Sequence, residues 1–94
     1  MKKYEVLYIL AGNLDEATRD GFISRFENLV TAAGGEATIN KWGMRKLAYP
    51  VAYKTEGFYV LMEFTANPDL PLEIERQMRI AKDEILRFMI TVKE

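Results

Sequence analysis

The side chains able to do covalent or acid–base chemistry are few in this sequence. Ser24 is the sole serine, and there is no His to activate it. Cys is absent too, which removes thiol catalysis, disulfide frameworks and the usual zinc sites. Without His, the usual general base and the commonest metal ligand are missing. Carboxylates pair as Asp15/Glu16, Glu73/Glu75 and Asp83/Glu84. The first pair suits a helix start, where the backbone dipole favours negative charge. Glu73 and Glu75 lie two apart on an expected helix and point in different directions. Asp83-Glu84 falls in a turn before the last strand. None of these pairs has the partners that acid–base or metal chemistry needs. Gly34-Gly35 precedes a strand, whereas a phosphate-cradling loop precedes a helix. Walker and dinucleotide fingerprints are absent, and no cofactor or metal is expected.

The basic residues are more suggestive. Lys2 and Lys3 open the chain, and Lys41, Arg45 and Lys46 surround Trp42. Arg76, Arg79 and Lys82 follow in one segment, then Arg87 and Lys93 in the next. Arg79 and Arg87 stand out, because a guanidinium can grip phosphate with two parallel hydrogen bonds. The total is nevertheless balanced: 13 Lys and Arg against 14 Asp and Glu, for a net charge of −1. A neutral total argues against a protein that binds nucleic acid by itself, yet it can hide a basic stripe on one side.

These residues are placed by six expected elements. Tyr4 to Ala11, apolar apart from Glu5, reads as a strand ending at Gly12-Asn13. Asn13 is positioned to cap a helix, with Glu16 completing a capping box. Leu14, Thr18, Phe22, Phe26, Val30 and Ala33 recur at helical spacing, and Gly34-Gly35 ends the helix. Glu36 to about Val51 is extended, with Gly43 marking a bulge and Pro50 placing the strand at a sheet edge. Tyr53 to Gly57 is expected to turn. Phe58, Val60, Met62 and Phe64 alternate with Tyr59, Leu61, Glu63 and Thr65 along a third strand. Asp69 can cap a second helix with the apolar line Leu70, Ile74, Met78 and Ala81, and Pro71 fits its first turn. Leu86, Phe88, Ile90 and Val92 alternate with Arg87, Met89 and Thr91 in a last strand.

The order strand, helix, strand, strand, helix, strand makes two βαβ units. Right-handed crossovers put both helices on one face of the sheet. The expected class is α+β, a ferredoxin-like split βαβ fold, with a four-stranded antiparallel sheet in a single domain over residues 1–94. With Tyr4, Val6, Tyr8 and Leu10 facing the helices, Leu7, Ile9, Tyr59 and Leu61 form an apolar patch on the bare face. Such a patch marks a partner surface. At 94 residues, 49% of them hydrophobic, the chain can fold alone and does not read as disordered. No apolar run approaches a membrane span, and the start does not read as a signal peptide. A cytoplasmic protein is expected. A nucleic-acid reading through stacking on the open sheet fits poorly, because Tyr59 is the sole outward ring on the central strands.

The segment Trp42-Gly43-Met44-Arg45-Lys46-Leu47-Ala48-Tyr49-Pro50-Val51 closely resembles the signature of the bacterial small-subunit ribosomal protein six family. Met1 to Glu5, Asn13-Leu14, Gly57-Phe58-Tyr59 and Arg79 to Val92 agree with the same family, so the resemblance spans essentially the whole chain. It implies a structural, non-catalytic member of the small ribosomal subunit. The partners it implies are the central domain of small-subunit ribosomal RNA and ribosomal protein eighteen, with which the family forms a heterodimer. By the same resemblance, RNA contacts fall on Lys2, Lys3, Arg79, Arg87 and Lys93. Partner contacts fall on Trp42, Met44, Arg45, Leu47 and Tyr49, although strand alternation equally permits a core role for Leu47 and Tyr49. The rival readings are a dimeric small-molecule-binding or monooxygenase-type protein of the same fold, and a regulatory domain that pairs through its edge strand.

Overall fold

A computed structural model describes residues 1–51 and 54–93, and for 48–51 and 54 the backbone alone. The elements are β1 (Lys2–Ala11), α1 (Glu16–Ala32), β2 (Ala37–Val51), β3 (Lys54–Ala66), α2 (Leu70–Ile80) and β4 (Ile85–Lys93). Their order in the sheet is β2-β3-β1-β4, and each neighbouring pair is antiparallel. The strand with Pro50 therefore lies at an edge, where a missing backbone donor costs least.

Both helices pack on one face. Tyr4, Val6, Tyr8 and Leu10 from β1 meet Val60, Met62 and Phe64 from β3. Ile23, Phe26 and Val30 from α1, with Ile74 and Met78 from α2, close the core. Tyr8 meets Phe26 edge to face at 5.7 Å, and Tyr4 stacks on Phe64 at 5.5 Å. The helices are tied to each other outside the core. Arg25 Nε donates to Gln77 Oε1 at 3.0 Å, and Gln77 Nε2 donates to Glu73 at 3.1 Å.

Two local expectations are corrected. The first helix is capped by Asp15, whose carboxylate accepts the Thr18 N–H at 2.8 Å, and not by Asn13. The Asp15 carboxyl is held below the usual carboxylate range, chiefly by side-chain and backbone hydrogen bonding with Thr18. Asp15 wins because a cap needs its side chain two or three residues before an unpaired N–H, and the helix starts at Glu16. Of the turn expected over Tyr53 to Gly57, residues 54–57 are strand instead, since β3 already begins at Lys54. Glu56 and Gly57 pair with Lys46 and Arg45, so cross-strand pairing overrides the local preference of Gly57 for a turn. Ala52 and Tyr53 lie outside the described residues.

Asp69 stands at the start of α2 as expected but makes no side-chain hydrogen bond to cap it, while other signals read correctly. Gly34 (φ +86°) and Gly35 end α1 with N–H groups donating to Thr31 O at 3.1 Å and Val30 O at 3.0 Å. This is the paired hydrogen-bond closure that a left-handed glycine allows. Gly43, at φ +90°, sits in a bulge where Lys41 and Gly43 oppose the adjacent residues Val60 and Tyr59. Trp42 is the extra residue. A second bulge separates Arg87, opposite Ile9, from Ile85, opposite Leu10, and leaves Leu86 unpaired.

The Tyr8 hydroxyl is buried with no hydrogen-bond partner among the described residues. Burial first, then the nearby Glu27 charge, pushes its pKa well above the ordinary value of 10.0. An unsatisfied buried hydroxyl costs stability without return. Tyr8→Phe should therefore leave stability unchanged or raise it by about 1 kcal/mol, roughly 4–8 °C in Tm. Thermal unfolding by circular dichroism checks this, and a clear loss would mean that a buried water satisfies the hydroxyl.

Candidate interaction surfaces

The face away from the helices is assembled from cross-strand rows. One row runs Asn40, Leu61, Leu7, Met89, and the next Trp42-Gly43, Tyr59, Ile9, Arg87. Because sheet pairing fixes which residues stand side by side, these rows bring together residues as far apart in sequence as Leu7 and Met89. Trp42 and Tyr59 stack nearly parallel, with centroids 6.4 Å apart and planes 8° apart. Arg45 lies 5.3 Å over the Trp42 ring. The bulge makes this possible, since an extra residue re-aims its side chain. Leu47 reaches toward Gly57, where a Cβ would meet its Cδ2 at 3.6 Å and would collide with Ile9 Cγ2. Ile9 itself is 8% exposed, so this corner of the open face is packed.

The expected partner residues are thus partly gathered. Trp42, Arg45 and Leu47 stand on the open face. Met44 pairs with Phe58 and faces the helix side, where its sulfur lies near Gly12, yet it stays 45% exposed. The side chain of Tyr49 lies outside the described residues. Tyr59, expected on this face from alternation, and Met89 belong to the same surface; which residues they stand beside is set by the cross-strand register.

The expected RNA-contact residues divide into two groups along β4. Lys3 and Lys93 are cross-strand partners at one end. Lys93 Nζ sits 3.4 Å from Glu5 and 3.2 Å from Glu63, which face each other in register. Arg87 lies six residues back on the same face, a separation of about 20 Å. Arg79 projects from the end of α2 and pairs with Glu75. Arg79, Lys82 and Arg87 line one groove of about 600 Å³, together with Met78, Leu86 and Phe88. Lys2 is exposed at the start of β1, opposite Ala66. Lys82 belongs with Arg79 and Arg87, and its place just past the helix end was the available signal.

Of the paired carboxylates, Asp15 caps α1, and Glu73 and Glu75 are held by arginines of α2. Glu73 accepts from Arg76 Nε at 2.8 Å and Nη2 at 2.7 Å. Hydrogen bonds from Arg76 and Gln77 lower its pKa to about 2. Among the described residues, no group of three His, Cys, Asp or Glu could hold a metal, and no helix is long and apolar enough to cross a membrane.

A four-stranded sheet in the order β2-β3-β1-β4, with both helices on one face and a stacked aromatic pair on the other, defines the ferredoxin-like class of α+β fold. The family description "Ribosomal protein S6" matches residues 3–92. The chain is 50% identical over 91 residues to small ribosomal subunit protein bS6 of Caldanaerobacter subterraneus, covering 96% of this chain and 95% of that one. It is 43% identical to the corresponding protein of Clostridium novyi over 95 residues, covering 100% and 99%. The crystal structure of 30S ribosomal protein S6 from Thermotoga maritima superposes with a TM-score of 0.89 at 26% identity, covering 98% of this chain and 87% of that one. The chain belongs to the ribosomal protein S6 family of the small ribosomal subunit, a structural rather than a catalytic family.

Lys93 between Glu5 and Glu63 provides a test of the charge cluster at this end. Hydrogen bonding and charge from Glu63 first, then Glu5, raise its pKa. Its stabilising share is therefore complete below the ordinary lysine value of 10.5 and is lost as pH rises through the raised one. Lys93→Gln should lower Tm at pH 7 by about 2–4 °C, because two in-register carboxylates are left facing each other. Adding Glu63→Gln should restore most of the loss in a thermal-melt double-mutant cycle.

Proposed function

We propose that this chain binds the central domain of small-subunit ribosomal RNA as one half of a heterodimer with ribosomal protein eighteen, in the cytoplasm and without catalysis. The observation that carries the reading is the division of the surface. The open face offers a stacked aromatic pair with apolar neighbours, which suits a protein partner. The β4 side offers Arg79, Lys82, Arg87 and Lys93, which suit phosphates. The net charge of −1 supports dependence on the partner, because few cations on a neutral chain give little electrostatic attraction by themselves.

In this reading Trp42, Arg45, Tyr59 and Leu47 hold the partner, and Arg79 and Arg87 contact the RNA backbone. Lys93 is drawn toward Glu5 and Glu63, so its contribution to RNA is weaker than that of Arg87. A dimeric small-molecule-binding protein would place an apolar cavity between the helices and the sheet, and that space is filled by Phe26, Met62, Ile74 and Met78.

The test is co-sedimentation with small ribosomal subunits. The chain should sediment with them and be released together with a basic partner. Trp42→Ala should weaken the heterodimer about tenfold or more, as loss of an aromatic anchor does. Arg87→Gln should leave the heterodimer intact and reduce the salt slope of RNA binding by about one. Failure to co-sediment would reject the reading.

A further inference from the structure

The groove between the end of α2 and β4 has a feature that phosphate binding leaves unused. Its lining is largely apolar, with the half-buried Leu86 and Phe88 and the open-face residues Leu7 and Met89 beside Arg79, Lys82 and Arg87. Among the described residues no carboxylate lines it, although Glu75 pairs with Arg79 from outside. A guanidinium with five donors keeps some for another ligand while it holds one carboxylate. Leu86, the unpaired residue of the β4 bulge, is part of the lining, so the irregularity of the strand and the groove coincide.

Phosphates alone call for cations and donors, not for a ring and aliphatic chains beside them. A duplex keeps its bases stacked and offers the groove only backbone. An unpaired nucleotide offers both a flat apolar base and the flanking phosphates. The volume of the groove is within the range of small-ligand sites, roughly 300–1,000 Å³. We propose that this groove takes one unpaired nucleotide of single-stranded RNA, the base against Phe88 and Leu86 and the phosphates on Arg79, Lys82 and Arg87. The proposal rests on the RNA reading above and specifies it: this corner recognises an unstacked base as well as backbone charge.

The test is titration of the full chain, labelled at its Met, Leu and Ile methyls, with four probes. These are a single-stranded RNA hexamer, its fully abasic counterpart, a duplex of equal length and a hexaglutamate peptide. The expected result is shifted Leu86 methyls with the hexamer, and binding about tenfold weaker to the abasic strand, a modest value for one base stacked on an aromatic ring. The duplex and the peptide should leave those methyls in place. Phe88→Leu, which keeps apolar packing, should weaken the intact hexamer several-fold and leave the abasic strand unchanged, with its methyl spectrum reporting the fold. Equal affinity for intact and abasic strands would overturn the proposal, as would equal shifts with hexaglutamate or no shift at all. Co-sedimentation with small subunits is read separately. If it persists while the groove stays empty, only the nucleotide proposal falls; if it is lost, the RNA reading falls.

Discussion

Tyr4, Val6, Tyr8 and Leu10 bury against both helices, and the rest of the structure depends on that packing. Each fully buried side chain of this kind contributes roughly 1.5–3 kcal/mol. The two helices are committed to one face because both βαβ crossovers share a hand. The alternate residues of β1 and β3 are thereby left on the other side. Leu7, Leu61 and Tyr59 face outward as a consequence of where Val6, Met62 and Val60 must go.

The bulges modify that plan at two places, and both are places of expected contact. At Trp42-Gly43 the extra residue sets an indole flat on Tyr59 and brings Arg45 above it. At Leu86 the extra residue joins the lining of the cationic groove. Regular pairing supplies the rigid frame, and the interruptions aim side chains out of it. The two surfaces lie on different sides of β1, with the aromatic pair over the β2 and β3 side and the cations on β4. They adjoin at Leu7, Ile9 and Met89, open-face residues that also line the cationic groove, so a protein and an RNA in the proposed complex would meet there.

Much of this was legible in the sequence. Alternation along β1 and β3, the helical line of α2, Gly43 as a bulge and Pro50 as an edge signal each follow from a local rule. What was not legible depends on register. That Trp42 stacks on Tyr59, that Glu5 faces Glu63 and that Lys93 lies between them are facts of cross-strand pairing. The Leu86 bulge gave no sign, because its residues alternate as an ordinary strand does. Asp15 displaced Asn13 as the cap because two capable residues lay two positions apart, and composition cannot choose between them. Met44 illustrates the same limit: one inserted residue moves a side chain to the other face.

In the proposed complex the acidic-basic balance of the chain acquires a meaning: a neutral protein on RNA would need a basic companion. The direct measurement is binding of a central-domain ribosomal RNA fragment to the chain alone and to the chain with ribosomal protein eighteen, each across a range of salt. The account predicts weak binding by the chain alone, and tight binding with a steep salt slope once the partner is present. A tight, salt-dependent complex formed by the chain alone would contradict it.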